Sequence, residues 1–189
     1  LAHLPIFIRN RMITIVSGSN RKDNKTVHFA KYVHGQLLKE VDAPIHFLDL
    51  SGLEGNLITE TMYKDQPQTI QHIQDHYFIP SSKFWFFIPE YNGSYPGILK
   101  LILDAISVRE YDRSFVDKRA CITGIASGRA GNLRGMDHLA EVLNHLGMHV
   151  HPNKNPISSI YKLLNAENNL ADKGAEESLQ KQMRQFLDF

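Results

Sequence analysis

Apolar and polar positions change period repeatedly along the chain, and each change marks an element. MITIVSG, residues 12–18, is a short β-branched apolar run ending in glycine and predicts a strand. In KTVHFAKYVHGQLLKEV (25–41), Val27, Ala30, Val33, Leu37 and Leu38 recur near one helical face. IHFLDL (45–50) predicts a second strand, followed by a polar loop from Ser51 and a helix around Gln68 to Phe78. The unbroken apolar run in KFWFFIP (83–89) predicts a third strand, buried on both faces. Past Pro96, helical spacing returns at Ile98, Leu99, Ile102, Leu103 and Ile106 and runs to about Ser107.

RACITGIAS (119–127) predicts a fourth strand, NLRGMDHLAEVLNHLG (132–147) a helix closed by Gly147, and MHVHP (148–152) a short fifth strand. The tail from Leu170 to Phe189 reads as an amphipathic helix whose apolar side (Leu170, Leu179, Met183, Phe186) packs on the body or on a partner. Strands alternating with helices at this spacing predict an α/β domain with a parallel sheet covered on both faces. Ligands of such sheets sit beyond the carboxyl ends of the strands, where the strand order reverses. One domain is expected over 12–189. LAHLPIFIRNR (1–11) is expected to be an extension preceding a natural start at Met12, with an arm packing on the domain or on a partner subunit as the alternative.

Composition removes whole classes of function. The 21 basic residues are balanced by 20 acidic ones, with no clustering that would suit nucleic acid. The one cysteine, Cys121, excludes an intrachain disulfide and fits a reducing compartment, the cytoplasm. No apolar run approaches the roughly 20 residues that span a bilayer.

Candidate chemistry gathers in three loops at carboxyl ends of predicted strands. SGSNRKDNKT (17–26) combines a tight turn at Gly18 with short donors at Ser17, Ser19, Asn20, Asn24 and Thr26 and the cations Arg21 and Lys25. A helix N-terminus with such donors suits a phosphate, although an ordinary capped helix accounts for the loop equally well. It lacks the Gly-Lys-Ser/Thr ending of a P-loop and the later glycines of a dinucleotide fingerprint. The second loop is PEYNGS (89–94), where Asn92-Gly93 permits a turn with positive φ, Tyr91 offers a flat face, and Pro96 opens the next helix. A turn this compact leaves backbone groups able to read the edge of a planar heterocycle. The third loop, ASGRAGNLRG (126–135), has glycines that let backbone approach a ligand, and Arg129 to meet an anion.

GSNR followed by Asn24, then PEYNGSYPGILKLILDAIS, then SGRAG closely resemble the NADPH-dependent FMN reductase family, over roughly Met12 to His151. The long middle motif is the specific one. The resemblance implies a flavodoxin-like fold, a five-stranded parallel sheet in the order 2-1-3-4-5, and FMN as cofactor. It implies that Ser17, Ser19, Arg21, Asn24, Lys25 and Thr26 hold the phosphate. Pro89, Glu90, Tyr91, Asn92 and Gly93, with Ser127 and Gly128, would contact the ring. Asn24 stands where the family usually has serine, and Asp104-Ala105 where Asp-Trp is common, the latter bearing on the packing below the helix and on subunit contacts.

The implied activity passes hydride from NADPH or NADH to the flavin and electrons onward to a small acceptor such as a quinone, a flavin or an azo compound. Two reactants using one pocket in turn implies ping-pong kinetics, and no protein acid is obligatory. Arg21 or Arg129 could attract the nucleotide phosphates. A homodimer or homotetramer is also implied. The rival is a non-enzymatic flavin carrier, or a flavin-binding regulatory protein. A pI near 8.0 and a single aromatic, Tyr91, in the proposed ring loops favour the enzyme. HIQDH (72–76) lacks the glutamate of a zinc HExxH helix, and His149 with His151 merely share a strand face, so no metal is expected.

Overall fold

The computed structural model describes residues 12–53 and 57–189, and the extension expected over 1–11 lies outside them. In chain order the elements are β1 (Met12–Ser17), α1 (Thr26–Glu40), β2 (Ile45–Asp49), α2 (Gln68–Ile73), β3 (Ser81–Pro89) and α3 (Gly97–Ile106). They continue with α4 (Tyr111–Phe115), β4 (Arg119–Ile125), α5 (Leu133–His145), β5 (His149–Val150), β6 (Asn155–Ile157) and α6 (Lys173–Asp188). The strands pair in parallel in the order β2-β1-β3-β4-β5, as expected for a flavodoxin-like sheet, and β6 joins β4 beside β5.

Strand β3 is buried throughout Phe84 to Ile88, and its two-residue period divides the core. Phe84, Phe86 and Ile88 face α2, α3 and α5, meeting Ile70, Ile102 and Leu139. Trp85 and Phe87 face α1 and α6, meeting Phe29, Leu37, Met183 and Phe186. The tail helix therefore covers its own body: Leu179, Met183 and Phe186 are buried there. Cys121 is buried in β4, and that burial raises its thiol pKa, as suits a packing residue rather than a nucleophile.

The single fifth strand expected over 148–152 is instead two short ones. Pro152 has no N–H to donate to a ladder, and the chain leaves the sheet there. β5 pairs with Arg119 and Ala120, then β6 resumes at Thr123. Gln182 of α6 bridges the break, its Nε2 donating to Ile122 O (2.9 Å) and Asn153 O (3.1 Å). Its Oε1 accepts from Thr123 Oγ1 at 2.8 Å, and that hydroxyl accepts from Trp85 Nε1 at 2.8 Å. A polar residue inside an apolar helical stripe is thus fully satisfied.

Two features escaped the periodicity. The helix predicted over 68–78 turns π-helical across Gln74–Phe78, where buried Gln74 donates to Ile106 O (3.0 Å) and Ser114 Oγ (2.8 Å). The short helix α4 completes that corner.

Gln182→Leu retains the volume and removes the bridge. Leaving Ile122 O without its partner is expected to lower the unfolding free energy by about 1–3 kcal/mol. Urea unfolding would register this as a lower midpoint at unchanged slope. Gln180→Leu is the control, because among the described residues its amide donates only to Tyr32 Oη, at 3.3 Å.

Candidate active site

The loops after β1, β3 and β4 end side by side because the strands that carry them are in register. Ser17 lies beside Phe87, and Pro89 beside Ile125. They enclose an open cleft of about 420 Å³ at the point where the strand order reverses. The first loop contributes Ser19, Arg21, Lys22, Asp23, Asn24, Lys25 and Thr26 to its lining, the second Pro89, Glu90 and Tyr91, and the third Ser127 and Gly128. Of the loop residues singled out in the sequence, Ser17, Gly18, Asn20, Asn92, Gly93 and Arg129 stand outside the lining.

The first loop crosses tightly over the end of β3. Gly18 N donates to Phe87 O at 2.8 Å, and a Cβ on Gly18 would come within 3.0 Å of that oxygen. Ser17 is buried beneath, its Oγ without a partner. Ser19 is buried at the cleft floor, where its Oγ shares a 2.7 Å hydrogen bond with Tyr91 Oη and accepts from Arg21 N at 3.3 Å. Asn24 caps α1, with Oδ1 accepting from Val27 N (3.0 Å) and Nδ2 donating to Arg21 O (2.9 Å). Its side chain therefore shapes the loop as well as facing the cleft. The positive end of α1 and three cations meet here, an arrangement that attracts an anion. The same field reaches His28 in the first turn of α1, whose pKa is lowered by burial and then by Lys25 and Lys31.

In the second loop, Tyr91 N donates to Ser94 O (2.9 Å) and Ser94 N to Tyr91 O (3.1 Å). Asn92 and Gly93 between them have φ of 52° and 79°, the signs of a type I′ turn. A Cβ on Gly93 would meet nothing within 4 Å, so its glycine is required by φ and not by space. The turn projects beyond the cleft, while Pro89, Glu90 and Tyr91 form its wall. Arg21 lies over the Tyr91 ring, 5.8 Å from its centroid.

The third loop is tied to a later segment. Ala126 N donates to Ile157 O (3.0 Å), Ser159 N to Gly128 O (3.2 Å), and Ile160 N to Ala126 O (3.4 Å). These bonds bring Ile160 and Tyr161 to the cleft, with Tyr161 68 % exposed at its edge. Neither residue carries a local motif. Only the pairing of β6 with β4 places them, and it gives the cleft a second aromatic beside Tyr91.

A family model described as NADPH-dependent FMN reductase matches residues 11–161. Among solved structures, the chain is similar to FerB, a flavoenzyme NAD(P)H:(acceptor) oxidoreductase from Paracoccus denitrificans, with 22 % identity and a TM-score of 0.78 over 94 % of this chain and 96 % of that one. The apo form of EMOB, an NADH:FMN oxidoreductase, gives 18 % identity and 0.72, over 93 % and 88 %. An NAD(P)H:quinone oxidoreductase from Methanothermobacter marburgensis gives 12 % and 0.66, over 93 % and 94 %. At these identities the likeness is one of fold. A search of curated proteins found no match.

If the first loop cradles a phosphate, Ser19→Ala with Thr26→Ala removes two hydroxyl donors to a charged group, each worth about 1.5–3 kcal/mol. FMN affinity is then expected to fall more than tenfold in a fluorescence titration, and by more than that of riboflavin, which has no phosphate and loses only the support that the Ser19–Tyr91 bond gives the ring wall. Equal losses for both ligands would place the phosphate elsewhere.

Proposed function

The chain belongs to the NADPH-dependent FMN reductase family, and from that footing we propose that it reduces small acceptors such as quinones, free flavins or azo compounds by a ping-pong cycle in this cleft. It is an oxidoreductase with FMN as cofactor and NAD(P)H as reductant. The observation that carries the fuller reading is the convergence of the three loops on one open cleft, lined by the cations Arg21, Lys22 and Lys25 and walled by Tyr91.

The donors fit the cofactor's parts. Ser19, Thr26, Asn24, the N-terminal N–H groups of α1 and the cations Arg21 and Lys25 would hold the phosphate. Pro89, Glu90, Tyr91, Ser127 and Gly128 would line the ring, with the Asn92-Gly93 turn at its outer side. FMN, when bound, supplies a ring that accepts hydride from a nicotinamide and releases two electrons to an acceptor. The residues present bind and orient, and the openness of the cleft leaves room for the nicotinamide and the acceptor in succession. Arg21 and Arg129 would attract the nucleotide's phosphates. This chemistry is assigned to a domain of residues 12–189 acting in the cytoplasm; no helix among the described residues is long and apolar enough to cross a membrane.

Two expectations test this reading. Under anaerobic conditions NADPH or NADH should bleach the bound flavin and an added quinone should restore it, with no partner protein present. Varying both reactants should give parallel double-reciprocal lines. Reduction by dithionite but by neither nicotinamide would instead favour an electron carrier.

We also propose that the protein assembles as a homodimer or homotetramer. The tail helix, which the sequence left to pack on the body or on a partner, is covered by its own body. The surface beside Asn20, where Leu53, Ile58, Ile98 and Leu101 line a groove of about 310 Å³, is the better candidate. Light scattering should give a multiple of the chain mass at micromolar concentration, falling towards the monomer in Leu101→Asp; a monomer for the unsubstituted protein would overturn the assignment.

A further inference from the structure

Outside the lining residues, one buried polar side chain reaches the wall of the cleft. Asn132 is 1 % exposed and precedes α5 with φ of 64°, the left-handed region. Its Nδ2 donates to two successive carbonyls at the end of β3, Ile88 O at 3.2 Å and Pro89 O at 2.9 Å. Its Oδ1 accepts from Gly135 N at 3.2 Å and caps α5. Successive carbonyls of a regular strand point to opposite sides, so one amide reaches both only where the chain turns out of the sheet. That turn directs Pro89, Glu90 and Tyr91 along the cleft.

The surroundings are shaped to admit this side chain. A Cβ on Gly135 would lie 2.2 Å from Asn132 Oδ1, and one on Gly131 (φ 58°) would lie 2.6 Å from Pro156 Cβ. A Cβ on Gly124 would meet Gly131 O at 2.2 Å. Gly135 therefore clears space for the asparagine, while Gly124 and Gly131 let the loop that carries it lie close against β4 and β6. Farther along, α5 also meets the same loop through an exposed contact, His138 Nδ1 with Ser94 Oγ at 2.9 Å. The buried contact lies at the loop's base, where a small rotation moves every residue beyond it.

We propose that Asn132 is the positioning residue of the flavin-contacting loop: by holding Ile88 O and Pro89 O it fixes the angle at which Pro89–Tyr91 meet the ring, and so the reduction potential of the bound flavin. This rests on the reading that Pro89–Tyr91 contact the ring. Its chemistry separates two functions of the amide. In Asn132→Asp an oxygen remains to cap α5, but the donor to the two carbonyls is replaced by a second acceptor. In Asn132→Gly the left-handed backbone is retained without strain and the whole side chain is lost.

The test compares both variants with the unsubstituted protein and with Asp172→Ala, which removes the equivalent cap of α6, where Asp172 Oδ1 accepts from Ala175 N at 2.8 Å. FMN affinity is measured by fluorescence quenching, the midpoint potential of the bound flavin by equilibration with a reference dye, and folding by thermal melting. Both Asn132 variants are expected to bind FMN at least tenfold more weakly and to shift its potential, a tenfold difference between oxidised and reduced affinities amounting to about 30 mV for a two-electron couple. Asp172→Ala is expected to lower the melting temperature and leave the potential unchanged. Should Asn132→Asp fail to fold, Asn132→Gly decides the matter alone. A lower melting temperature with an unmoved potential in the Asn132 variants would overturn the proposal and leave Asn132 a helix cap. A normal FMN affinity together with an unmoved potential in both would do the same. Failure of the unsubstituted protein to bind FMN would overturn the flavin reading, and this proposal with it.

Discussion

The burial of β3 on both faces is the constraint on which the rest of the structure depends. Its side chains alternate between two cores, Phe84, Phe86 and Ile88 on one side and Trp85 and Phe87 on the other. A slip of one residue would exchange the faces and leave neither core filled. With that register fixed, β1 and β4 pair along its length, and their carboxyl ends finish within two residues of one another, β1 beside Phe87 and β4 beside Pro89. Three loops converge on one cleft because three neighbouring strands end within two residues of the same height.

Where parallel ladders stop, backbone N–H and C=O groups lose their partners and must find others. The loops meet this demand differently. The first is closed by Asn24, whose amide bonds both to Arg21 O and to the start of α1. The second folds back on itself between Tyr91 and Ser94, while its base is held by Asn132. The third pairs with the segment from Ile157 to Ile160. At the far edge of the sheet Gln182 bridges the gap where Pro152 ends one short strand before the next begins. Amide side chains, buried at Asn132 and Gln182 and half-buried at Asn24, thus finish what the strands leave open beneath a cleft that is open above.

The sequence by itself determined the class of fold and most of the cleft. Alternation between strand and helix periods was enough for a parallel sheet, and the unbroken apolar run from Phe84 to Ile88 was enough to make its strand central. The glycine, hydroxyl and cation pattern of 17–26 and the PEYNGS turn were legible because such loops are governed by local stereochemistry, positive φ at Asn92 and Gly93 above all. Tertiary structure decided what depends on distant segments. Ile160 and Tyr161 enter the cleft only through β6, Gln182 becomes a core residue only because β5 and β6 leave a gap, and Asn132 reaches the carbonyls of Ile88 and Pro89 only because α5 begins beneath the end of β3. A side chain's periodicity records which face of its own element it occupies. The carbonyl it will meet across 29, 44 or 60 residues of chain is set by how the elements pack, and no local pattern encodes it.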